Sequence, residues 1–467
     1  MDKVKVGLLP LYLEFYDKKV PDLRVRLEEF LEEIIKRLEE KELIIKNSKI
    51  CRTKEEFKDA VNYFEKEKVT AIITLHLAYS PSLESAEALS GTSIPIIILN
   101  TTPTFSFGSD QSTDEIMYNH GIHGVQDFCS LLYKKGKKYF IETGHYDKSD
   151  VLDRVVKRVK SAGLAYSMKT QRVGRIGGSF EGMGDFFIPA KDLKKNLGIE
   201  VIETSFKEIT DLLPSENSEE VKNEILADYK TFKVDNMNKK VHLDSVRIGL
   251  AIRKWIVKRS LTSFTYNFSV INKKSGFLTV PFLEASKQMA AGVGFAGEGD
   301  VLTASLVGTL LSIYPESSFV EMFCPDWSGD SIFLSHMGEM NIGLVSGKPF
   351  LFEKDESLLE TEPPAVAAGS FKPGKAVYIN LAPDTDNIFR LLVSEIEMVD
   401  LSAKKESLKD NMNKTIRGWF KHKLGISEFL SQFSKHGGTH HSAMVYGDIK
   451  DVISDFGRIM NWQVIEI

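Results

Sequence analysis

The chain has 467 residues, enough for two or three domains, and its 42% hydrophobic and 27% charged content is that of an ordinary globular protein rather than a disordered or fibrous one. A formal net charge of -5 excludes the basic footprint expected of a nucleic-acid-binding protein. No apolar run is long enough to span a bilayer, which argues against a membrane partner.

The chain opens on Met1-Asp2-Lys3-Val4-Lys5-Val6, which reads directly as a strand without a signal-peptide pattern. Cys51, Cys129 and Cys324 are far apart, odd in number and form no CxxC pair. That usage points to a reducing compartment, so the expected location is cytoplasmic.

A short apolar strand at Val4 to Leu9 is followed by a charged amphipathic helix at Leu23 to Leu43, with Leu27, Phe30, Leu31, Ile34, Ile35 and Leu38 at helical spacing. Its charged face reads as solvated surface. Next come a strand around Leu43 to Ile50, a helix at Lys54 to Lys66 and a strand at Thr70 to Leu75. Ile94 to Leu99 is nearly all apolar, as in a strand buried on both faces. A helix at Gly124 to Lys134, a strand at Lys138 to Glu142 and a helix at Asp150 to Ala162 follow. Such alternation predicts βαβ units and an open parallel sheet, with polar loops at its carboxyl ends: His76 to Ser82, Asn100 to Gln111 and Gly144 to Asp147.

The glycine-rich segment Gly174 to Gly184 has neither a Walker pattern nor a dinucleotide fingerprint. It reads as an interdomain loop, or alternatively as one lining a cleft. Strands at Glu200 to Glu203 and Ser263 to Val270 then alternate with helices at Ser218 to Tyr229, Asp244 to Arg259 and Pro281 to Ala291, predicting a second α/β domain. From Ser317 short alternating runs bounded by Gly and Pro take over: Ser318 to Phe323, Ser331 to Leu334, Ala365 to Phe371, Lys375 to Leu381 and Phe389 to Val399. This texture predicts a small β-barrel or sandwich, closed by helices at Ile426 to Phe433 and Ile449 to Met460 and a strand at Gln463 to Ile467.

The stretch Gly294-Phe295-Ala296-Gly297-Glu298-Gly299-Asp300 stands out. Asp300 reads as the N-cap of a helix from Val301 to Tyr314. Glu298 then sits just ahead of a helix N-terminus, where partial positive charge favours a carboxylate. Flanking glycines permit a tight turn and a close approach. Three further polar positions interrupt their surroundings: Glu321 within a strand, His336 at a strand end, and His440-His441 in a Gly-Gly-Thr-His-His segment. Each has an ordinary structural explanation alone: a wet strand face, a hydrogen-bonded histidine, a loop. Together they offer two carboxylates and two imidazoles, a set suited to Mn²⁺, with Co²⁺, Fe²⁺ or Zn²⁺ as competitors. Four protein ligands in octahedral geometry leave two positions, which two adjacent sugar oxygens would fill.

Residues 294–300, Phe319-Val320-Glu321, Leu334-Ser335-His336-Met337 and 437–441 resemble, in order and spacing, the metal-site motifs of the L-arabinose isomerase family. Asn119 to Gly124 resembles its N-domain histidine loop, Thr143-Gly144-His145 its domain-crossing turn, and Phe264 to Phe268 its Phe-Thr-Thr-Thr-Phe strand. The resemblance implies an α/β protein of three domains: a Rossmann-like parallel-sheet domain over 1–166, a central α/β domain over 167–316 and a β-barrel over 317–467. It implies Glu298, Glu321, His336 and His441 as metal ligands, with His440 the neighbouring alternative to His441, and Mn²⁺ as the preferred ion. Glu298 and Glu321 would be the catalytic pair, while His123, Met183 and Phe268 would contact the sugar. It also implies a homo-oligomer, a hexamer or a smaller trimer or tetramer, in which His123 reaches a neighbouring subunit's site. One stretch departs: the family's Gly-Ser-Gln-His-Leu-Tyr-Gly loop is replaced by Leu8 to Tyr16, and His120 stands where the family carries Gln.

The expected function is metal-dependent aldose–ketose isomerisation of an aldopentose or aldohexose, not necessarily L-arabinose, by enediol proton transfer or by a metal-assisted hydride shift. Two alternatives stand beside it. One is a related metal-dependent reaction on a rarer sugar; the other is a catalytically silent sugar-binding or regulatory homologue, since fold does not fix function. A nicotinamide-dependent enzyme is disfavoured by the missing dinucleotide fingerprint.

Overall fold

A computed structural model of the chain describes residues 4–234, 236–354, 360–384, 388–401, 412 and 414–467. The Met1-Asp2-Lys3 start of the expected first strand lies outside the described residues. Two compact units follow one another along the chain, Met1–Tyr166 and Ser167–Ile467.

The first unit carries strands β1 (Lys5–Leu11), β2 (Ile44–Asn47), β3 (Ile72–His76), β4 (Ile96–Asn100) and β5 (Phe140–Thr143). They form an all-parallel sheet of order β2-β1-β3-β4-β5. Every residue of β3 is buried, Thr74 and His76 included, as are Ile96 to Leu99, which is why the latter read as an unbroken apolar run rather than an alternating one. Helices bury their apolar stripes on the sheet, and Phe57, Phe64 and Phe128 meet in one core cluster. The helix Lys54–Glu67 starts with a capping box between Thr53 and Glu56.

The second unit begins with β6 (Arg172–Ile176), β7 (Glu200–Thr204), β8 (Lys233–Val234), β9 (Ser263–Tyr266) and β10 (Gly294–Ala296). All but β8 form a parallel sheet of order β10-β9-β6-β7. Two sequence expectations are corrected here. The glycine-rich segment at 174–184 begins inside β6, because Gly174 passes under Trp255, whose Cη2 would lie 2.2 Å from an added Cβ. The strand expected to run to Val270 stops at Tyr266, where Asn267 accepts from Ser269 N and caps a 3₁₀ turn over Phe268–Val270.

The remaining strands are β11 (Ser317–Asp326), β12 (Ser331–Ser335), β13 (Phe350–Glu353), β14 (Ala365–Ala368), β15 (Gly374–Pro383), β16 (Phe389–Met398), β17 (Gly418–Lys421), β18 (His441–Tyr446) and β19 (Gln463–Glu466). A barrel closes in the order β15-β18-β11-β12-β17-β16, with β16 returning to β15; β19 adds to β16, and β13 pairs with β14 on one side and β8 on the other. Closure removes the free edges that an open antiparallel sheet would expose.

The helix Val301–Leu311 joins sheet and barrel. All its residues are buried and none is charged. It touches β6, β9 and β10 on one side and β11, β15 and β18 on the other. A helix apolar all round is stable only with packing all round. Each fully buried Val or Leu contributes about 1.5–3 kcal/mol by leaving water. Its N-terminus therefore emerges at a fixed place beside the barrel. Among the described residues no helix is long and apolar enough to cross a membrane.

Candidate active site

Glu298 sits in the turn between β10 and this helix, with φ of 63°. That is the left-handed region, costly for a residue with a Cβ and held only where the surroundings fix it. They do so here: Phe180 N donates to Glu298 O at 2.8 Å, and Gly299 N donates to Thr265 Oγ1 at 3.0 Å. Gly299, with φ of 81°, passes so close to Gly178 that an added Cβ would lie 2.1 Å from its carbonyl oxygen. Only glycine fits there.

Asp300 is the N-cap, accepting from Thr303 N at 2.9 Å through Oδ1. Its Oδ2 lies 2.9 Å from Nδ1 of His441. A carboxylate only accepts, so Nδ1 carries the proton and Nε2 is turned away from Asp300.

The barrel register supplies the other groups. Glu321 on β11 is paired with His441 on β18 and with Ser335 on β12, and His336 follows Ser335 directly. Three neighbouring strands thus deliver Glu321, His336 and His441 to one point. His441 Nε2 lies 2.9 Å from Glu321 Oε1 and 3.2 Å from Glu298 Oε2. His336 Nε2 lies 3.2 Å from Glu321 Oε1. Glu298 is buried; so is Glu321, which a strand pattern alone would place on a wet face.

Despite this proximity, His441 Nε2 and Glu298 Oε2 have no hydrogen bond of acceptable geometry. Two buried polar atoms left unpaired at one point are costly unless something else satisfies them. Both histidines are also held from behind: His336 Nδ1 donates to Glu339 Oε2 at 2.6 Å, as His441 Nδ1 does to Asp300. A carboxylate behind an imidazole whose other nitrogen faces a cluster of acids is the arrangement of metal-ligating histidines. The residues present therefore fit a divalent cation. Ligating atoms of Glu321, His336 and His441 lie within 4.8 Å of one another, as do those of Glu298, His440 and His441. His441 joins both groups.

The electrostatics agree. Burial alone would raise Glu298, but the imidazoles of His440 and His441 beside it hold its pKa down to about 2. Burial would likewise raise Glu321, and His336 and His441 pull it well below the usual carboxylate range. Burial disfavours the His336 cation, yet Glu339 and Glu321 push its pKa up to about 10.

His440 is half-exposed and differently held. Its backbone N and its Nδ1 both donate to Asp185 Oδ2, at 3.0 and 2.6 Å, while Nε2 lies 3.5 Å from Glu298 Oε2. Asp185 and Phe186 were not singled out in the sequence. Phe186 stacks on His441 with ring centroids 5.0 Å apart, and Phe319 packs edge-on against both His336 and His441. The sequence signal for Asp185 is thin: an acid directly after the glycine-rich segment 174–184.

The remaining expected contacts are placed less centrally. Phe268, half-buried, packs on Phe180, whose amide holds the Glu298 carbonyl. Met183 is half-buried in the loop two residues before Asp185. His123 is exposed on the helix Gly121–Lys134 of the first unit, 5.6 Å ring to ring from His120.

Comparison with known proteins gives a consistent picture. Residues 192–314 match the L-arabinose isomerase central domain, and residues 316–463 match the L-arabinose isomerase C-terminal domain. The L-arabinose isomerase of Shouchella clausii is 24% identical over 403 residues, covering 85% of this chain and 81% of the relative. That of Oceanobacillus iheyensis is 23% identical, covering 87% and 86%. That of Geobacillus stearothermophilus is 21% identical, covering 86% and 81%.

Proposed function

This chain belongs to the L-arabinose isomerase family, and from that membership we propose that it is a metal-dependent aldose–ketose isomerase acting on a free aldopentose or aldohexose. The observation that carries the reading is the meeting of Glu321, His336 and His441, with Glu298 Oε2 3.2 Å from the same His441 Nε2.

Those four residues would hold the cation, Mn²⁺ being our choice for a mixed carboxylate and imidazole set, with Co²⁺, Fe²⁺ and Zn²⁺ as competitors. Bound there, it would act as a Lewis acid, polarising the sugar carbonyl and stabilising negative charge that develops on oxygen. The two glutamates carry the protons. One carboxylate takes the proton from C2, and that electron pair forms the C1–C2 double bond while the second glutamate, entering the step protonated, gives its proton to O1. The same carboxylate then returns the proton to C1, while the second glutamate takes the O2 proton as the new carbonyl forms. This division of labour requires the two carboxylates to differ in proton affinity once the site is assembled.

Asp300 and Glu339 fix which imidazole nitrogens face the centre. Phe186 and Phe319 limit water around the imidazoles. The first-unit stretch Leu8 to Tyr16, where the chain departs from the family pattern, is the reason to leave the sugar open. We read His123, exposed at the start of its helix, as reaching the sugar site of a second copy in a homo-oligomer, with Met183 and Phe268 as apolar contacts.

The test is ketose formation from a panel of aldopentoses and aldohexoses, using chelator-stripped protein before and after Mn²⁺. Metal-restored turnover on one sugar is expected. Tight Mn²⁺ binding with no turnover across the panel would favour the sugar-binding alternative instead.

A further inference from the structure

A chain of buried polar groups runs from the back of His336 into the second unit. Glu339 Oε2 accepts from His336 Nδ1 at 2.6 Å and from Gly338 N at 2.9 Å. Its other oxygen, Oε1, accepts from the hydroxyl of Tyr266 at 2.8 Å. Tyr266 and Glu339 are 0% and 1% exposed, so no bulk water competes for these bonds. Tyr266 ends β9 and its ring is wedged against Phe264, Phe282 and Phe295, which fixes where its hydroxyl points. Gly338 adds a constraint, since an added Cβ would lie 2.7 Å from Cγ of Phe282.

We infer that Tyr266 is a positioning residue, which through Glu339 fixes the tautomer and ring orientation of His336 and so sets how tightly and how selectively the site holds its cation. The inference rests on the metal-site reading of the preceding section. A carboxylate that orients a histidine still has freedom to rotate unless its second oxygen is anchored. Tyr266 is that anchor, and it comes from the central sheet rather than from the barrel that carries His336. The link therefore ties the cation site to the packing between β9 and the loop after β12. Partners one step behind a ligating histidine are typically worth 10- to 100-fold in metal affinity. A group two steps behind belongs at the lower end of that range.

The experiment measures Mn²⁺ and Zn²⁺ binding to chelator-stripped wild-type protein, Tyr266→Phe, Glu339→Gln and the double variant, by competition with a chromophoric chelator. Thermal unfolding of each stripped protein runs beside it. Tyr266→Phe keeps the ring and its packing and removes only the hydroxyl. It is expected to weaken Mn²⁺ binding about tenfold and to change the Mn²⁺-to-Zn²⁺ ratio, beyond any change in metal-free stability. Because Tyr266 acts through Glu339, the double variant is expected to bind no more weakly than Glu339→Gln alone. Wild-type affinity and metal preference in Tyr266→Phe would overturn the inference, as would additive losses in the double variant. Should Tyr266→Phe not fold, Glu339→Gln with unchanged metal affinity would overturn it equally. Failure of stripped wild-type protein to bind either metal is a separate outcome, and it strikes the metal-site reading itself.

Discussion

One side chain, Asp300, both caps the helix Val301–Leu311 and holds His441. Its Oδ1 accepts from Thr303 N and its Oδ2 lies 2.9 Å from His441 Nδ1. The two duties separate by substitution. Asp300→Asn keeps an N-cap of nearly equal quality but removes the charge behind His441. It is expected to unfold near the wild-type temperature while losing 10- to 100-fold in Mn²⁺ affinity. Asp300→Ala should in addition lose about 0.5–2 kcal/mol of stability. Chelator competition and thermal unfolding on the same samples check both, and an Asn variant with intact metal affinity would remove Asp300 from the site.

Glu298→Gln and Glu321→Gln each remove a proposed proton carrier of nearly the same shape. Turnover should fall by at least about 10²-fold in each, the usual worth of a positioned acid or base. Circular dichroism should show the fold retained. Near-wild-type turnover in either variant would strip that residue of its role.

Removing the metal should also cost stability. The site gathers Glu298, Glu321, His336 and His441 in a buried place, and a cation bound to the native state stabilises it by mass action, about 2.7 kcal/mol at a free concentration 100 times Kd. Stripped protein should melt lower, and its Tm should rise with added Mn²⁺ and not with Mg²⁺, which prefers oxygen ligands and keeps its waters. A Tm indifferent to chelator would count against a cation at this place.

Away from the site, Glu224 is held by Arg253 at 2.9 Å and Lys287 at 2.8 Å. Burial would raise its pKa, but hydrogen bonds and charge from Arg253 and Lys287 hold it down to about 2. Its unfolded value is about 4.3. A depressed carboxylate contributes stability above the unfolded pKa and loses it as pH falls through the folded one. Glu224→Gln should therefore be less stable than wild type at pH 7 by a few kcal/mol, at the order of magnitude such a shift implies. The difference should shrink between about pH 4.5 and 2. Urea unfolding across that range reads it out, and a pH-independent difference would mean that Glu224 acts by packing alone.

If His123 of one copy serves the sugar site of another, inactive His123→Ala and Glu298→Gln chains should complement each other. Mixed oligomers would contain some sites with both residues native, since a symmetric assembly repeats the same contact at every interface. Co-expressed chains are expected to show activity above that of either variant alone. Activity that never exceeds the sum of the two would confine His123 to its own subunit or remove it from the site.

The sequence carried the local architecture well. The nearly continuous apolar run at 94–99, within strands alternating with helices, announced a buried parallel sheet, and turn-bounded alternation after residue 317 announced the barrel strands. Asp300 before an uncharged run announced a capped helix. These signals are legible because period, capping and turn chemistry act over a few residues. Gly174 and Tyr266 show where they fail. Gly174 read as loop but lies in a strand because Trp255 fills the space of a Cβ. Tyr266 read as mid-strand but ends one, and its hydroxyl meets Glu339, 73 residues away.

The composition of the candidate site was likewise legible: two glutamates, two histidines and a glycine-framed turn. What the sequence by itself determined was which residue types were available and on which element each sat. Only the tertiary structure decided that Glu321 turns inward, that its strand pairs with His441 on one side and with the strand before His336 on the other, and that Asp185, Phe186, Asp300 and Glu339 stand around them. The physical reason is that strand register is set by the closure of the whole barrel. The orientation of His441 is set by Asp300, 141 positions away, which no local pattern encodes.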